Sequence, residues 1–505
     1  MTGRVPFRVA VVGRDDALWL GVNALWRAFG HAGVEVTAVE LPSLLRAEDV
    51  LPTLRAQEAF HILLGLEEAP LMRRSAATFS LGQRFANWSK AKPPFLCAYG
   101  TYGVPFNRVP FVHYWVKARR AGLKAEFEDF ALNAAAAKQG RFFVPGPDTD
   151  GFGVSDYAYH LDAGGYCQAL KELAMHRGIP VVSGRYGSAI READDGRLVA
   201  VRLGDGREVK ADLFVDASGA ESVLLGREMG VGFESWRKWF PCDRLLTAQA
   251  EPLSPLPPYG QCAAFRSGWL GFYPLRHRTA FQQVYASVDM NESEAFEAAG
   301  LVSSMRLNAE ATVAPLHVGR RAEIWVKNCV GIGEAAAMLD PIDNARMQFN
   351  LIGLSHLISL FPVEGDFSIE AREYNRNVTN AVERIRDYQL AHYKLNQRFD
   401  QPLWDHLRGM VVPETLQYKI DLFAARGGLA LYDDETFEED AWLALFIGHG
   451  LMPAIYDPLA DQVPEQDVMR HFQKILGFIK TSVTPMQPME AFLDMPAVSR
   501  AQAEP

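Results

Sequence analysis

Apolar and polar residues at the start of the chain follow a strand–helix–strand pattern. Residues 7–12 form a nearly continuous apolar run that ends at Gly13, which is typical of a buried parallel strand. Residues 17–30 carry apolar positions at helical spacing, and residues 34–39 form a second apolar run that ends at Glu40. A strand, a helix and a second strand in this order begin a dinucleotide-binding sheet, so the sequence predicts such a sheet here.

The middle of the chain is predicted to be rich in strands. An amphipathic helix is expected over 165–178, and two hairpin turns are expected at 194–196 and 204–206. Four prolines in 251–258 predict a loop, and antiparallel strands are expected to flank Gly271 to Pro274. The predicted strands around the hairpins are 181–182, 188–192, 199–203 and 208–211.

The last part of the chain is predicted to be mainly helical. Its longest helix is expected over about 370–399, with apolar residues along one stripe. The sequence therefore predicts an α/β (α+β) protein in which a dinucleotide-binding domain with parallel and antiparallel sheets, residues 1–355, precedes a helical module, residues 356–505.

Composition removes several classes of function. The chain has 505 residues, of which 49% are hydrophobic and 22% charged, as in an ordinary globular protein. Its 51 basic and 61 acidic residues give a net charge of −10, so no nucleic-acid or anionic-membrane partner is expected. No apolar run approaches the roughly 18 residues of a membrane span, and five scattered cysteines without a CxxC pair favour a reduced, cytoplasmic protein.

A series of short motifs in a fixed order carries a family resemblance. The motifs are the first strand–helix turn, the acidic end of the second strand, 159–162, 211–219, 241–244, 267–269, 273–275, 328–333, 340–341, 391–393, Trp442 and 456–461. In combination they resemble the flavin-dependent tryptophan halogenases over roughly residues 8 to 492.

The resemblance implies a flavin-monooxygenase-type FAD domain joined to a substrate module. In this family, reduced FAD reacts with oxygen and halide to give hypohalous acid, which reaches a lysine, and a glutamate assists at an aromatic substrate. The partners it implies are a small aromatic molecule and a flavin reductase, and we also expect a homodimer.

The cofactor positions match the family only in part. Of the three glycines of the Gly-x-Gly-x-x-Gly turn only Gly13 is present, because Asp15 and Leu18 stand at the other two positions. Asp15 and Asp16 place carboxylates where a diphosphate would meet the helix N-terminus. The alternative interpretation is that one of them caps that helix, which is compatible with loss of FAD. FAD binding is therefore expected to be weak or lost. The cofactor-binding candidates are Gly13, Glu40, Asp216, Gly219, Gly331 and Gly333.

The catalytic positions are also altered. Ser80 stands where the family has its lysine, and a serine hydroxyl can neither form a chloramine nor present a positive charge. Asp343 stands at the glutamate position with one methylene less. The halide or anion candidates are Asn344, Ala345 and Arg346, with a local ion pair between Asp343 and Arg346 as the alternative interpretation.

Aromatic residues supply the substrate-side candidates. Trp269 and Phe272 lie in a motif whose second tryptophan is Gly271 here, and losing that indole is expected to open space. The remaining candidates, Tyr432, Phe437 and Trp442, lie in the helical module. Ordinary core packing is the alternative interpretation for all of them.

Three hypotheses of function remain open on this sequence. The first is a divergent halogenase-family oxidoreductase that acts on or binds an indole-like aromatic and has lost standard halogenation. The second is a non-catalytic family member that binds a ligand or a partner protein. The third is an active FAD-dependent halogenase in which another group replaces the lysine.

Overall fold

The computed structural model describes residues 6–362 and 366–495, without the side chains of residues 309 and 310. The α-helices are α1 Asp15–Phe29, α2 Gln57–Leu64, α3 Glu68–Arg74, α4 Phe111–Arg120, α5 Leu132–Lys138, α6 Ala163–His176, α7 Glu292–Ser303, α8 Ala345–Ser359, α9 Ser368–Lys394, α10 Pro402–Gly409, α11 Glu414–Arg426, α12 Glu439–Gly448, α13 Glu465–Val483 and α14 Met489–Asp494. Within the described ranges no helix is long and apolar enough to cross a membrane.

The strands alternate with these helices in the first two thirds of the chain. They are β1 Phe7–Gly13, β2 Val34–Glu40, β3 Val50–Pro52, β4 Thr78–Ser80, β5 Gly82–Ala86, β6 Phe95–Ala98, β7 Arg141–Phe142, β8 Ala158–Asp162, β9 Val181–Ser183, β10 Tyr186–Arg191, β11 Leu198–Leu203, β12 Glu208–Lys210, β13 Leu213–Ala217, β14 Phe233–Ser235, β15 Arg244–Ala250, β16 Gly260–Phe265, β17 Gly268–Pro274, β18 Thr279–Tyr285, β19 Leu307–Pro315, β20 Gly319–Arg321, β21 Trp325–Val326, β22 Cys329–Gly331, β23 Ala337–Met338 and β24 Gln487–Pro488.

The backbone divides into two compact units, each made from three chain segments. The first unit comprises the residues up to Ala76, Leu161–Phe240 and His317–Arg384. The second unit comprises Ala77–His160, Pro241–Leu316 and the residues from Ile385 onward. The sequence predicts a single division after residue 355, a position that lies inside α8.

The first unit contains the predicted dinucleotide-type sheet. Its strand order is β21-β22-β13-β1-β2-β9, and every pair from β22 to β9 is parallel. β1 reads as an apolar run because both faces of a central parallel strand are covered, and its residues Val9 to Val12 are at most 1% exposed. The ends of β1, β2 and β13 lie side by side, since Gly13 pairs with both Glu40 and Ala217.

The second unit is built around a seven-stranded sheet of order β19-β15-β18-β17-β16-β5-β6. All of its pairs are antiparallel except β16 with β5. The strands expected to flank Gly271 to Pro274 are β16 and β18, and the stretch between them is itself part of strand β17. α10 to α14 follow in this unit, in agreement with the predicted helical character of the C-terminal part.

Candidate functional site

The turn after β1 does not present its carboxylates as helix caps. Arg14 is the residue that precedes α1, and no side chain there caps the helix. Asp15 has a left-handed backbone with φ 55°, and its carboxylate accepts hydrogen bonds from Ser43 Oγ at 2.5 Å and Leu44 N at 3.3 Å. The expectation that Asp15 or Asp16 caps α1 is therefore wrong, because both carboxylates are bound by residues outside the helix.

Asp16 is buried in an ion pair. Its side chain is 1% exposed, and Arg346 Nη2 of α8 lies 2.9 Å from Asp16 Oδ1. Asn350, one turn further along α8, donates to Asp16 Oδ2 at 3.0 Å. Arg346 Nε also lies 3.0 Å from Glu334 Oε1, so one guanidinium joins two carboxylates. We call Asp16, Glu334, Arg346 and Asn350 the turn cluster.

Arg346 therefore pairs with Asp16 and Glu334. The ion pair between Arg346 and Asp343, which was the alternative interpretation of the sequence, is not formed. Asp343 Oδ1 instead accepts a hydrogen bond from Ala345 N at 3.1 Å, at the start of α8. Asn344 precedes the helix with a left-handed backbone, φ 64°. Burial by itself lowers the pKa of Arg346, but the carboxylates of Asp16 and Glu334 outweigh it and raise that pKa.

Two further acid–base pairs lie at the same edge of the sheet. Arg14, which is 9% exposed, forms an ion pair with Glu221 at 2.8 Å. Glu40, at the end of β2, accepts from Lys171 Nζ at 2.6 Å and from Ser183 Oγ at 2.7 Å. Glu40 thus stands where a ribose-binding acid belongs in this fold, and its carboxylate is already bound by two neighbours.

Asp216 holds the turn after β13 together. It is fully buried, and its carboxylate accepts hydrogen bonds from Ser218 N at 3.0 Å, Leu224 N at 2.8 Å and Leu225 N at 2.7 Å. Burial raises the pKa of Asp216, and these hydrogen bonds act in the opposite direction. The next candidate, Gly219, has φ 76° and lies within this turn.

The remaining glycine candidates permit close approaches of the backbone. A side chain at Gly13 would collide with the carbonyl group of Ala217, so this glycine keeps β1 and β13 in register. Gly331 ends β22, and Gly333 has φ 56° and faces the side-chain amide of Asn350. Gly333 therefore touches the turn cluster through Asn350.

Ser80 is a buried residue of the second unit. It is 1% exposed, and its hydroxyl donates to Gly82 O at 2.9 Å. Its strand neighbour Thr78 donates to Pro274 O at 2.6 Å and lies 3.2 Å from His160 Nδ1. Burial lowers the pKa of His160 to about 3, so this imidazole is neutral. Ser80 and Asp343 belong to different units.

The space expected beside Gly271 is filled. The ring of Tyr273 lies over the Gly271 backbone, and a side chain at 271 would come within 2.9 Å of it. Trp269 is fully buried and donates from Nε1 to Tyr393 OH at 2.7 Å. Phe272 points to the opposite face of β17 and packs in an apolar cluster with Phe281. The expectation of open space is wrong because tyrosine occupies it two residues along the strand.

The three aromatic candidates of the helical part lie near one another. Lys419 Nζ lies 5.0 Å from the ring centre of Tyr432 and 4.4 Å from that of Trp442. Phe437 stacks on Tyr388, with ring centres 3.6 Å apart. Trp442 is fully buried, so it presents no free face to a ligand.

Sequence reasoning missed several charged or polar pairs because they join distant residues. Lys419 and Glu435 form an ion pair in which both side chains are buried. His392 Nδ1 lies 3.0 Å from His449 Nε2, and both rings are buried. The turn cluster likewise joins positions about 330 residues apart. A single charged or polar residue in the sequence does not indicate which distant residue it will contact, so no sequence pattern could have predicted these pairs.

The second unit also contains an open cleft of about 250 Å³. The half-buried Phe95 and Ile447 of α12 contribute apolar side chains to its walls, and Arg119 and Glu126 are among its charged residues. Among the residues that the structure describes, no group of three or more metal-binding side chains was found.

Comparison with known proteins identifies the family. The family model of tryptophan halogenase matches residues 8–465. The chain belongs to the tryptophan halogenase family. It is 27% identical over 520 residues to tryptophan 7-halogenase RebH of Lentzea aerocolonigenes, a match that covers 95% of this chain and 96% of the relative.

Solved structures of flavin-dependent halogenases have the same fold. BrvH from Brevundimonas sp. BAL3 is 34% identical with a TM-score of 0.91, and the match covers 96% of this chain and 98% of BrvH. Xcc4156 from Xanthomonas campestris is 29% identical with a TM-score of 0.92, covering 97% and 98% of the two chains. The mixed α/β fold expected from the sequence is confirmed.

The halogenase family depends on FAD, so the fit of this chain to that cofactor can be judged at the turn after β1. A dinucleotide diphosphate needs glycine backbone and free amide groups at such a turn. Here Asp15 and the buried Asp16 place two carboxylates at the turn, and both are bound by neighbouring groups. Leu18 is fully buried at the position of the last glycine. These residues do not fit a diphosphate.

Proposed function

We propose that this chain is a divergent member of the halogenase family that binds a small indole-like aromatic molecule and does not halogenate it by the lysine route. The carrying observation is Ser80, which is buried and donates its hydroxyl to Gly82 O. A hydroxyl held in this way offers neither the nucleophilic nitrogen nor the positive charge of an amine.

The cleft of the second unit supports the binding part of the proposal. The apolar side chains of Phe95 and Ile447 on its walls suit a flat apolar ring, and Arg119 supplies a charge at its edge. Arg119 is itself paired with Glu126 at 3.2 Å, so the edge of the cleft is polar without a strong net charge. A neutral or zwitterionic aromatic fits these surroundings better than a polyanion.

A second candidate function is flavin-dependent oxidation of the aromatic without halogenation. The parallel sheet and the Asp216 turn are the observations that favour it, since they keep the framework of a flavin domain. A flavin reductase would be the partner in this case. This candidate requires FAD to bind, and we expect that binding to be weak because Asp15 and Asp16 place negative charge near its phosphates.

The experiment combines binding with product analysis. Indole binding to the purified protein is measured by calorimetry for the wild type, for Ile447→Trp, which fills the cleft, and for Val411→Trp, which adds the same ring at a residue 88% exposed elsewhere in the second unit. We expect Ile447→Trp to weaken indole binding by about tenfold or more and Val411→Trp to leave it unchanged.

The same proteins are then incubated with indole or tryptophan, halide, FAD and a flavin reductase. Mass spectrometry is expected to show no halogenated product above the background of free hypohalite. Halogenated product above that background would show that another group replaces the lysine and would refute the proposed loss of halogenation, whereas an oxygenated indole would favour the second candidate. Equal indole binding by both tryptophan variants would show that the cleft is not the binding place. The possible homodimer and the cytoplasmic location remain predictions.

A further inference from the structure

The turn after β1 carries its own buried anion. Asp16 is 1% exposed and lies in the first turn of α1, where the helix dipole favours a negative group. Arg346 and Asn350, both from α8, direct hydrogen-bond donors at its two oxygens. A carboxylate held by a guanidinium in the first turn of a helix shares two features with a bound phosphate: a cationic partner and the positive end of a helix dipole.

The turn cluster is also tied to the rest of the first unit. Arg346 bridges Asp16 to Glu334, and Asn350 contacts Gly333. The Arg346 side chain is 39% exposed, whereas Asp16 is closed off from solvent. A phosphate at this guanidinium would compete with the two carboxylates that already bind it.

We propose that Asp16 acts as a built-in substitute for a dinucleotide phosphate, so that the first unit is complete without cofactor and Arg346 is withheld from phosphate. The inference rests on the weak-flavin part of the proposed function and goes further, because it names the pair responsible. Removing the charge of Asp16 then has two effects in the same direction: it removes an anion from the helix N-terminus, and it leaves Arg346 with Glu334 as its one carboxylate partner in the turn cluster, so that the guanidinium can also bind a phosphate.

The test is a titration with FAD, with ADP and with inorganic phosphate, followed by calorimetry and by the shift of the melting temperature. The wild type is expected to show no stabilisation by any of them. Asp16→Asn, which keeps the shape of the side chain, is expected to bind FAD and ADP at least about tenfold more tightly than the wild type. If Asp16→Asn also binds inorganic phosphate more tightly than the wild type does, the site recognises the phosphate group alone.

A control in the same unit separates this effect from a general loss of an ion pair. Asp212→Asn removes the partner of Arg8, an Arg–Asp pair of 3.1 Å at the other end of β1, and is expected to leave FAD binding unchanged. Glu334→Gln keeps Asp16 in place and is also expected to bind FAD no more tightly than the wild type.

If Asp16→Asn does not fold, the double variant Asp16→Asn with Arg346→Gln removes both charges and is expected to bind FAD more tightly than the wild type.

Two results would overturn the inference. One is a wild-type dissociation constant for FAD below about 1 μM, since the turn would then accept the cofactor despite its ion pair. The other is a folded Asp16→Asn, or folded double variant, that binds FAD no better than the wild type. A wild type that binds FAD tightly yet does not halogenate would refute this inference and leave the proposed loss of halogenation standing.

Discussion

At the scale of single residues, Ser80 and Asp16 show two different ways in which a family position changes. Ser80 is a local change, since its hydroxyl finds an acceptor two residues away at Gly82. Asp16 is a coupled change, since a buried carboxylate needs a partner and finds Arg346 on another helix. A coupled pair is harder to reverse, because removing one charge leaves the other without its counterion.

Ser80→Lys alone is predicted to remain inactive as a halogenase. Catalytic groups act as a set, and the altered Asp343 and the turn cluster are not repaired by one lysine. The buried position lowers the pKa of the new amine, and we expect a loss of roughly 1–3 kcal/mol in the free energy of unfolding. A reductase-coupled assay with mass spectrometry and urea unfolding measures both effects.

Ser80→Met is the matched control, because it has similar length without the charge. If both variants lower the free energy of unfolding by a similar amount, the loss comes from the size of the side chain. A larger loss for Ser80→Lys would come from burial of the amine. Robust halogenation by Ser80→Lys would contradict the prediction and would mean that the cofactor and halide sites are already competent.

At the scale of elements, local sequence patterns were sufficient to predict helices and strands. Contacts between residues far apart in the sequence could not be predicted from those patterns. β1, α1 and β2 were predicted because an apolar run and a helical spacing are properties of neighbouring residues. The four strands β9 to β12 were predicted with their hairpin turns for the same reason. Tyr273 over Gly271 and Arg346 beside Asp16 were not predictable, because each depends on how a folded backbone directs side chains that the sequence pattern does not connect.

The close pairing of β1 with β13 gives a prediction about glycine. Gly13→Ala should lower the free energy of unfolding by roughly 1–3 kcal/mol, because the new methyl group collides with the Ala217 backbone. Gly477→Ala is the contrasting variant: it lies within α13 with no heavy atom near the new methyl group, and should raise the free energy of unfolding by about 0.5–1 kcal/mol. Urea unfolding distinguishes the two, and a neutral Gly13→Ala would show that the strands can separate without cost.

At the scale of the whole molecule, the two units each gather three segments of the chain. A division after residue 355 was predicted from the increase in helical pattern, which records local periodicity. The units instead reflect contacts between segments far apart in sequence, such as β13 beside β1 and β16 beside β5. The family assignment was possible from the sequence because it depends on the order of motifs, which survives such interleaving.

Both units contain buried neutral histidines, and these predict that acid destabilises the protein. Burial lowers the pKa of His61, His160 and His449 from 6.5 to about 3, and burial together with His449 lowers the pKa of His392 well below 6.5. Each ring is neutral in the folded state and takes up a proton in the unfolded state, so the unfolded state binds more protons below its pKa. Stability is therefore present above pH 6.5 and is lost as the pH falls toward 3.

The size of the effect follows from the same linkage. Each of these histidines should lower the free energy of unfolding by about 1.4 kcal/mol between about pH 7.5 and about pH 5.5, or roughly 5 kcal/mol for the four together. Urea unfolding at the two pH values measures this sum together with the contribution of every other group whose protonation changes on unfolding, so a single-histidine variant is needed to isolate one ring. His61→Gln, which keeps a hydrogen-bonding group beside Tyr166, should reduce the difference between the two pH values by about 1.4 kcal/mol. An unchanged difference in that variant would mean that His61 is protonated in the folded protein, which would contradict the burial on which the prediction rests.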